Sequence, residues 1–303
     1  MWCCPNCGSA ATFSSADRPW PVAWRCKSCQ LSISYREGIP CLAPDLADST
    51  IGFDPKLFQK LNSFEDTNFW FVNRARLIVA LLEKYFPSSR DFFEIGCGTG
   101  SVLQALRKCF TDLSLAGSEL QLNGLRFARQ RLGTDVMLLQ MDARRIPAIG
   151  QFDVIGAFDV LEHIADDQHV LSQIYTALRP GGGAIIAVPQ HRWLWSPEDE
   201  AACHVRRYAR DELEKKIEKA GLRILCTTSF NAILLPLMLA SRLRLRLKAR
   251  NGCHQEALTE IQVGGWINGL LSVALALEVF LTSAGVRWPI GGSRFVVAGK
   301  PAT

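Results

Sequence analysis

The chain has 303 residues, 48% of them apolar, which is enough for one large hydrophobic core with a small appended unit. Its 34 basic and 29 acidic side chains leave a net charge of +5, and so modest a balance does not by itself indicate a nucleic-acid-binding protein. The eleven cysteines follow no basic, apolar leader segment, so we predict a cytoplasmic protein with free thiols and a metal site, not a secreted disulfide scaffold.

Two Cys-x-x-Cys pairs lie near the start of the chain. Cys4 and Cys7 form the first pair, and Cys26 and Cys29 form the second after eighteen intervening residues. This spacing is typical of a zinc ribbon, in which four thiolates bind a structural zinc ion and leave no open coordination position for catalysis. Cys3 is an alternative ligand in place of Cys4, and unmetallated core cysteines are the other interpretation.

The segment after the second pair, residues 34–40, reads Ser-Tyr-Arg-Glu-Gly-Ile-Pro. It resembles the zinc ribbons at the front of many bacterial methyltransferases, and also the small ribbon proteins that partner tRNA and protein methyltransferases. A linker rich in proline and aspartate follows over residues 41–55. We therefore predict a zinc ribbon over residues 1–45 and a second domain over residues 46–303.

A glycine-rich turn follows an apolar run in the second domain. Glu94, Gly96, Gly98 and Gly100 have the spacing Glu-x-Gly-x-Gly-x-Gly, and an apolar-periodic stretch covers residues 101–110. This order predicts a strand, a tight turn and a helix. The spacing differs from the Gly-x-Gly-x-x-Gly of dinucleotide-binding proteins. Glycines at these positions let the backbone approach a bound ligand closely.

Further apolar segments alternate with helical patterns, and acidic residues follow several of them. Strands that alternate with helices predict a doubly wound, parallel α/β sheet whose strand carboxyl ends line one ligand-binding crevice. Glu119, Asp142 and Asp159 would lie at such ends. The predicted strands cover residues 91–95, 113–118, 136–141, 152–158, 183–188, 223–230 and 293–300.

Four segments in this order resemble class I S-adenosylmethionine-dependent methyltransferases of the type 11-like group. The resemblance extends over about residues 70–230 and implies a seven-stranded Rossmann-like sheet with S-adenosylmethionine as cofactor. The matching segments are Glu-Ile-Gly-Cys-Gly-Thr-Gly at 94–100, Met-Asp-Ala at 141–143, Phe-Asp-Val-Leu-Glu-His at 158–163 and Leu-Arg-Pro-Gly-Gly at 178–182.

The resemblance also implies a role for individual residues. The backbone at Gly96 and Gly98 would face the methionine part of the cofactor, Glu119 would bind the ribose hydroxyls, and Asp142 would meet the adenine amino group. For Glu119 and Asp142 a solvated surface carboxylate is the alternative interpretation. The remaining residues assigned to cofactor binding are Glu94, Gly100, Ala143 and Phe158, the last packing near the sulfonium or the adenine.

A loop rich in aromatic, basic and imidazole groups follows the fifth predicted strand and would lie over the crevice. An oxygen or nitrogen acceptor must lose a proton, and histidine is a natural base near neutral pH. His204 is the candidate catalytic base, Asp199 its candidate orienting partner, and His191 a weaker candidate. This loop resembles the Asp…His-x-Arg-Arg-Tyr pattern of a subgroup encoded near lipid and polysaccharide genes, which also carries the Phe-Trp-Phe-x-x-Arg seen at residues 69–74. A purely structural role for the loop is the alternative.

Residues 231–290 separate the sixth and seventh predicted strands, and we interpret them as an apolar helical insertion. A basic stretch lies between its two apolar segments, and Glu278 in the second segment argues against a membrane span. Peripheral contact with the inner face of the membrane through residues 231–286 is one hypothesis. A buried helical cap, or an interface in a homo-oligomer, is the other.

The predicted function is S-adenosylmethionine-dependent methyl transfer to a small-molecule, lipid-linked or sugar-linked acceptor, with oxygen favoured over nitrogen. One alternative is a methyltransferase of ribosomal or transfer RNA that binds RNA through the ribbon and the basic stretch. The other is a non-enzymatic scaffold with a degenerate cofactor fold. The intact glycines, Glu119 and Asp142 argue against degeneracy.

Overall fold

The computed structural model describes residues 1–13, 19–49, 53–250 and 262–302, with the side chains of residues 244–250 outside that description. The strands are β1 Ser34–Arg36, β2 Ile39–Cys41, β3 Asp91–Ile95, β4 Ser114–Glu119, β5 Met137–Gln140, β6 Phe152–Phe158, β7 Leu178–Pro189, β8 Arg223–Phe230 and β9 Ser293–Gly299. The α-helices are α1 Lys56–Phe64, α2 Phe69–Tyr85, α3 Ser101–Cys109, α4 Leu122–Leu132, α5 Asp167–Ala177, α6 Pro197–Ala201, α7 Glu212–Lys219, α8 Leu235–Arg250 and α9 Gly265–Ser283.

All the strands within the described residues join one sheet, in the order β1-β2-β5-β4-β3-β6-β7-β9-β8. The run from β5 to β7 is parallel, whereas β9 lies antiparallel between β7 and β8. The predicted α/β architecture with a large parallel sheet is confirmed. The predicted number of strands was wrong, because the sheet has nine strands and not seven.

The two additional strands come from the N-terminal segment. The β1–β2 hairpin continues the sheet because β2 pairs in parallel with β5 at Cys41 and Gln140. The Gln140 backbone carbonyl accepts from the amide of Leu42 at 2.8 Å, and its side-chain amide bonds both backbone groups of Ala43. These hydrogen bonds satisfy the edge of β5, which a seven-stranded sheet would leave exposed.

The strands of the parallel region are buried on both faces. Phe92 and Phe93 are neighbours in β3 and point to opposite faces, yet both are fully buried. Phe92 packs in the core on the side of α2, α3 and α4, and Phe93 packs in the core on the side of α5 and α7. Such double burial explains why these strands appear in the sequence as continuous apolar runs.

The N-terminal segment packs directly against this sheet. Trp20 is fully buried, and its ring lies 4.8 Å from that of Trp2. The ring of Trp2 in turn lies 5.4 Å from that of Phe152 in β6. The backbone amide of Cys3 donates to the carbonyl of Pro147 at 2.8 Å. The aromatic contacts therefore connect the cysteine-rich segment to the core of the sheet.

The insertion between β8 and β9 contains α8 and α9. Helix α9 lies along α2, where the fully buried Asn73 amide donates to the Ser272 hydroxyl at 3.1 Å. The buried Glu278 carboxylate of α9 accepts the backbone amides of Ala232 and Ile233, which begin the insertion. Polar contacts thus fix α9 to the sheet domain and to the start of its own insertion.

Helix α9 has two different apolar faces. By length and composition it is the one helix among the described residues that could cross a membrane, with a mean hydropathy of 1.6, but only 28% of that window is buried. Leu271, Leu275 and Val279 form part of the buried face against the core. The opposite face is exposed to solvent, and its apolar side chains, here called the α9 stripe, are Trp266, Leu270, Val273, Leu277 and Phe280.

Candidate active site and cysteine cluster

The glycine turn between β3 and α3 has a backbone that other residues adopt only with strain. Gly96 and Gly98 have φ angles of +67° and +51°. A Cβ atom added at Gly96 would lie 2.4 Å from a methyl carbon of Val160, so no side chain fits there. The turn therefore presents bare backbone at the carboxyl end of β3, as the sequence predicted.

Glu119 ends the neighbouring strand β4 and faces this turn. Its carboxylate accepts the backbone amides of Gly98 at 3.2 Å, Leu120 at 2.7 Å and Gln121 at 3.1 Å. Burial raises the pKa of Glu119, and the three backbone donors oppose that rise. A carboxylate has about four acceptor sites, so Glu119 retains capacity for a ligand hydroxyl.

Glu94 lies beneath the turn, inside β3. Burial raises the pKa of Glu94 to about 8, against the opposing charge of Arg74. One of its carboxylate oxygens, Oε2, has no hydrogen-bond partner among the described residues. The guanidinium of Arg74 pairs with Asp159 at 2.6 Å and lies 5.0 Å from the centre of the Trp70 ring. The sequence singled out the motif containing Arg74, but its pairing with Asp159 was not predicted.

Asp142, Ala143 and Phe158 lie along the same cleft. Asp142 follows β5, and its carboxylate accepts from the Arg144 side chain at 2.7 Å and from the Arg144 backbone amide at 2.9 Å. An adenine amino group at Asp142 would therefore share the carboxylate with Arg144. Ala143 and Phe158 are buried along the same cleft, and Gly156 leaves room for the Phe158 ring within the sheet.

His204 and Asp199 are brought together by the loop that follows β7. Nδ1 of His204 lies 2.9 Å from Oδ1 of the fully buried Asp199. Arg207 donates to the same oxygen at 2.6 Å, and the amide of Ser196 donates to the other oxygen at 2.8 Å. Burial would raise the pKa of Asp199, but the bond from His204 and the charge of Arg207 hold that pKa at about 2. Asp199 therefore remains ionised and fixes the orientation of the imidazole.

A single cavity of about 1090 Å³ joins these groups. The glycine turn, Glu119, Asp142 and Phe158 line it together with His204 and Asp199. The insertion contributes apolar side chains to the same cavity, namely Leu234 just before α8, Leu237 and Met238 in α8, and Ile267 and Leu271 in α9. His191 does not line it; this residue stacks on Trp193 and borders a separate cavity of about 210 Å³.

Comparison with known proteins agrees with this geometry. A family model described as a methyltransferase domain matches residues 69–227, which is more than half of the chain. The chain belongs to this methyltransferase family. The predicted resemblance is thereby confirmed, and membership supports S-adenosylmethionine as the cofactor.

Individual relatives of this methyltransferase are distant. A Mycolicibacterium smegmatis protein named as an S-adenosylmethionine-dependent methyltransferase is 26% identical over 167 residues, covering 52% of this chain and 61% of that protein. A ubiquinone biosynthesis O-methyltransferase from Parvibaculum lavamentivorans is 31% identical over 100 residues, covering 32% of this chain and 39% of that protein. The chain thus matches less than two thirds of the length of either relative.

The structural similarity to a solved structure covers more of the chain than the sequence similarity to these relatives does. A chain from the complex between the Haloferax volcanii Trm112 methyltransferase activator and a methyltransferase superposes with a TM-score of 0.55 at 18% identity. The match covers 84% of this methyltransferase and 98% of that chain. At this identity the likeness shows a shared fold alone.

The four cysteines of the two Cys-x-x-Cys pairs form a cluster in this methyltransferase. The Sγ atoms of Cys4 and Cys29 are 3.6 Å apart, as are those of Cys7 and Cys26, and all four sulfurs lie within 4.8 Å of one another. Four zinc–thiolate bonds of about 2.3 Å, arranged as a tetrahedron, place the sulfur atoms about 4 Å from one another. The donor set and spacing fit one tetrahedral ion. Cys3, the alternative ligand, is not part of the cluster.

Two neighbours of His204 were not among the predicted site residues. Glu162 is fully buried, with its Oε1 3.9 Å from Nε2 of His204, and the imidazole rings of His163 and His204 are 4.9 Å apart. Burial, with the charge of His204 second, lowers the pKa of His163 to about 4, so this ring is neutral near pH 7. The sequence placed Glu162 and His163 after β6, but gave no signal that the distant His204 would reach them.

Proposed function

We propose that this protein transfers a methyl group from S-adenosylmethionine to a hydroxyl group of an apolar or lipid-linked acceptor. One observation carries the proposal: a single cavity is lined by the glycine turn and Glu119, by the His204–Asp199 pair, and by apolar side chains of the insertion. A transfer between two substrates requires that both be held next to each other with water excluded. The cavity offers a polar region for a cofactor and an apolar region for an acceptor.

The residues of the glycine turn fit S-adenosylmethionine. Gly96 and Gly98 present backbone without side chains at positive φ, and Oε2 of Glu94 is a buried acceptor without a partner among the described residues. In this proposal Glu119 would hold the ribose hydroxyls and Asp142 the adenine amino group, with Phe158 packing beside them. The bound cofactor supplies a methyl group on a positively charged sulfur.

The His204–Asp199 pair would handle the acceptor hydroxyl. Asp199 accepts from Nδ1 of His204, and this bond leaves Nε2 of the imidazole to meet the acceptor. Arg207 donates to the same Asp199 oxygen at 2.6 Å and holds the carboxylate in place. The acceptor oxygen becomes a better nucleophile as its proton is withdrawn.

The insertion supports an acceptor with an apolar part. Leu237, Met238 and Leu271 line the cavity from α8 and α9, and the α9 stripe lies exposed on the outer face of α9. The sequence of α8 adds Arg244, Arg246, Lys248 and Arg250, basic residues that would favour anionic headgroups. We propose that the protein is cytoplasmic and that α9 lies on the inner face of the membrane, from which a lipid-linked acceptor would enter the cavity.

The cysteine cluster would hold a structural zinc ion. Four thiolates from Cys4, Cys7, Cys26 and Cys29 would complete its coordination and leave no position for a substrate. Its role in this proposal is to stabilise the segment that joins the sheet through β2.

The proposal is tested by supplying zinc-replete protein with S-adenosylmethionine labelled on the methyl group. A membrane-lipid extract and total RNA serve as parallel acceptor pools. We expect label in the lipid fraction, and we expect His204→Asn to reduce it by about 100-fold or more. His191→Asn, at a histidine outside the cavity, is the matched control. Label in RNA instead of lipid, or in neither pool, contradicts the proposal.

A further inference from the structure

The cavity contains a cluster of three side chains that could together bind a metal ion. Glu162, His163 and His204 each offer one ligand atom, and these atoms lie within 4.8 Å of one another. All three residues line the cavity that also holds the glycine turn and Glu119. Two imidazoles and one carboxylate are a common ligand set for a divalent cation with open coordination positions.

The strongest observation is that the Glu162 carboxylate is buried without a hydrogen-bond partner in the described part of the chain. Its side chain is fully buried, and neither carboxylate oxygen has a hydrogen-bond partner in another described residue. The ring atom Nδ1 of His163 is likewise buried and has no partner within the described chain. A buried carboxylate is normally hydrogen-bonded or paired, because leaving it without a partner is costly. The unsatisfied atoms of these two residues therefore point to a ligand.

The two imidazoles are held as metal-binding histidines usually are. Nδ1 of His204 is bonded to Asp199 at 2.9 Å, so its free atom is Nε2. Nδ1 of His163 is buried without a partner among the described residues, and the backbone of Cys203 lies near this ring. Ligating histidines commonly bond a carboxylate or a backbone carbonyl through the second nitrogen, which fixes the tautomer and the ring orientation.

We propose that Glu162, His163 and His204 bind a divalent transition-metal cation, which holds the oxygen of the acceptor hydroxyl beside the methyl donor. This inference rests on the proposed methyl transfer and specifies how its acceptor is held. Bonds of about 2.0–2.2 Å place neighbouring ligand atoms roughly 3 Å apart. Nε2 of His204 and Oε1 of Glu162 are 3.9 Å apart, so the side chains close by about an ångström on binding.

The open coordination positions of the cation would allow it to bind the acceptor hydroxyl directly. An acceptor hydroxyl bound to it loses its proton to solvent water more readily, because the positive charge stabilises the oxyanion. The oxyanion then forms the new O–CH₃ bond while the S–CH₃ bond breaks, giving a methyl ether and S-adenosylhomocysteine. The cation is not oxidised or reduced. In this arrangement Nε2 of His204 binds the cation in place of the acceptor hydroxyl, so His204 is a ligand and not the base. Asp199 is a positioning residue that acts through His204.

The ligand types also separate this site from the cysteine cluster. Soft thiolates at Cys4, Cys7, Cys26 and Cys29 favour zinc, whereas a mixed imidazole and carboxylate set accepts Mn²⁺, Fe²⁺ or Co²⁺ as well. Mn²⁺ is therefore a useful probe, since it competes poorly for thiolates.

The first experiment measures binding without any methyl transfer. Protein with one zinc ion per chain, determined by mass spectrometry, is titrated with MnCl₂ while free Mn²⁺ is followed by electron paramagnetic resonance. We expect one Mn²⁺ site, which Glu162→Gln and His163→Asn each weaken at least tenfold with the zinc content unchanged. Glu278→Gln, at a buried carboxylate outside the cavity, and His191→Asn are matched controls that should bind as the wild type does. No Mn²⁺ binding by the folded, zinc-containing protein overturns the inference.

The second experiment measures methyl transfer to the lipid extract with Mn²⁺ and after its removal by a chelator that leaves the zinc in place. We expect chelation and Glu162→Gln each to lower the rate at least tenfold, and added Mn²⁺ to restore the chelated wild type but not the variant. Full activity after chelation and in Glu162→Gln overturns the cation's role and leaves the methyltransferase proposal standing. Mn²⁺ binding at Glu162 and His163 without methyl transfer to any acceptor supports the site and contradicts the proposed function.

Discussion

Glu94 is a buried residue of the site whose protonation affects the stability of the fold. It lies in β3 beneath the glycine turn, facing Arg74 from α2, with the carboxylates of Glu119 and Glu65 also acting on it. Burial raises its pKa from 4.5 to about 8, so the folded protein keeps a proton that the unfolded chain loses above pH 4.5. Stability is therefore lost as the pH rises through this window.

We predict that Glu94→Gln removes the loss of stability that the wild type shows as the pH rises. The free energy of unfolding of the variant, relative to wild type, should rise by at least about 1 kcal/mol between about pH 5 and pH 8. Urea unfolding of the cofactor-free proteins at the two pH values measures the difference. Glu83→Gln, at an exposed position on α2, controls for the substitution itself. A difference that does not change with pH would show that Glu94 is ionised in the folded state.

Some site residues were predictable because their motif is local. Gly96 and Gly98 belong to a turn whose spacing is visible in the sequence, and Glu119 follows the next strand. The neighbours of the Glu162 side chain were not predictable in the same way. Its approach to His204, 42 positions further along the chain, depends on how the loop after β7 folds back, with Val205 donating to the Glu162 carbonyl.

At the scale of the element, buried strands were predicted well. The predicted strand 152–158 coincides with β6, and the predicted strand 223–230 coincides with β8. Strand β7 is longer than predicted, because Leu178 pairs with Phe152 across a register shift, although residues 179–182 resemble a turn in sequence. Short apolar periodicity signals a strand, but it does not specify which edge a hairpin such as β1–β2 will join.

The α9 stripe provides a prediction at this scale. We expect the protein to sediment with anionic phospholipid vesicles, and replacement of both Leu270 and Leu277 by Gln to weaken that binding at least tenfold. These side chains are 63% and 53% exposed, so their loss removes apolar area from the lipid contact without disturbing the core. Val205→Gln, at a 54% exposed position outside α9, is the control.

The vesicle measurement separates a membrane surface from the alternatives. Wild-type protein that stays in the supernatant at every anionic lipid content contradicts membrane contact through α9. If the same double substitution instead converts a dimer to a monomer in analytical ultracentrifugation, the stripe is an interface between two copies of the chain. Either result leaves the buried face of α9, formed by Leu271, Leu275 and Val279, unaffected.

At the scale of the whole molecule, the cysteine cluster and the sheet are parts of one packed structure. The N-terminal segment contributes β1 and β2 to the sheet and packs Trp2 against Phe152. The predicted boundary between residues 1–45 and 46–303 stays a prediction. Because metal binding and local folding are coupled in such segments, loss of zinc should loosen more than the cysteine turns.

We predict one zinc ion per chain, lost in Cys26→Ser. In that variant, hydrogen exchange should accelerate in residues 1–13 and 19–41 and at the β2–β5 pairing, while the amides of β3 and β6 stay protected. Cys109→Ser, at an exposed cysteine outside the cluster, should keep both its zinc and its exchange pattern. Zinc content that is unchanged in Cys26→Ser would contradict the assigned ligand set.

The central claim is that the glycine turn and Glu119 form the cofactor site of a methyltransferase. Its most direct test is calorimetric titration of zinc-replete protein with S-adenosylmethionine, in parallel with Glu119→Ala and the exposed control Glu37→Ala. We predict micromolar binding by the wild type and the control, and at least tenfold weaker binding by Glu119→Ala, about 1.4 kcal/mol. Absence of binding by the folded protein, or equal binding by Glu119→Ala, would contradict the claim.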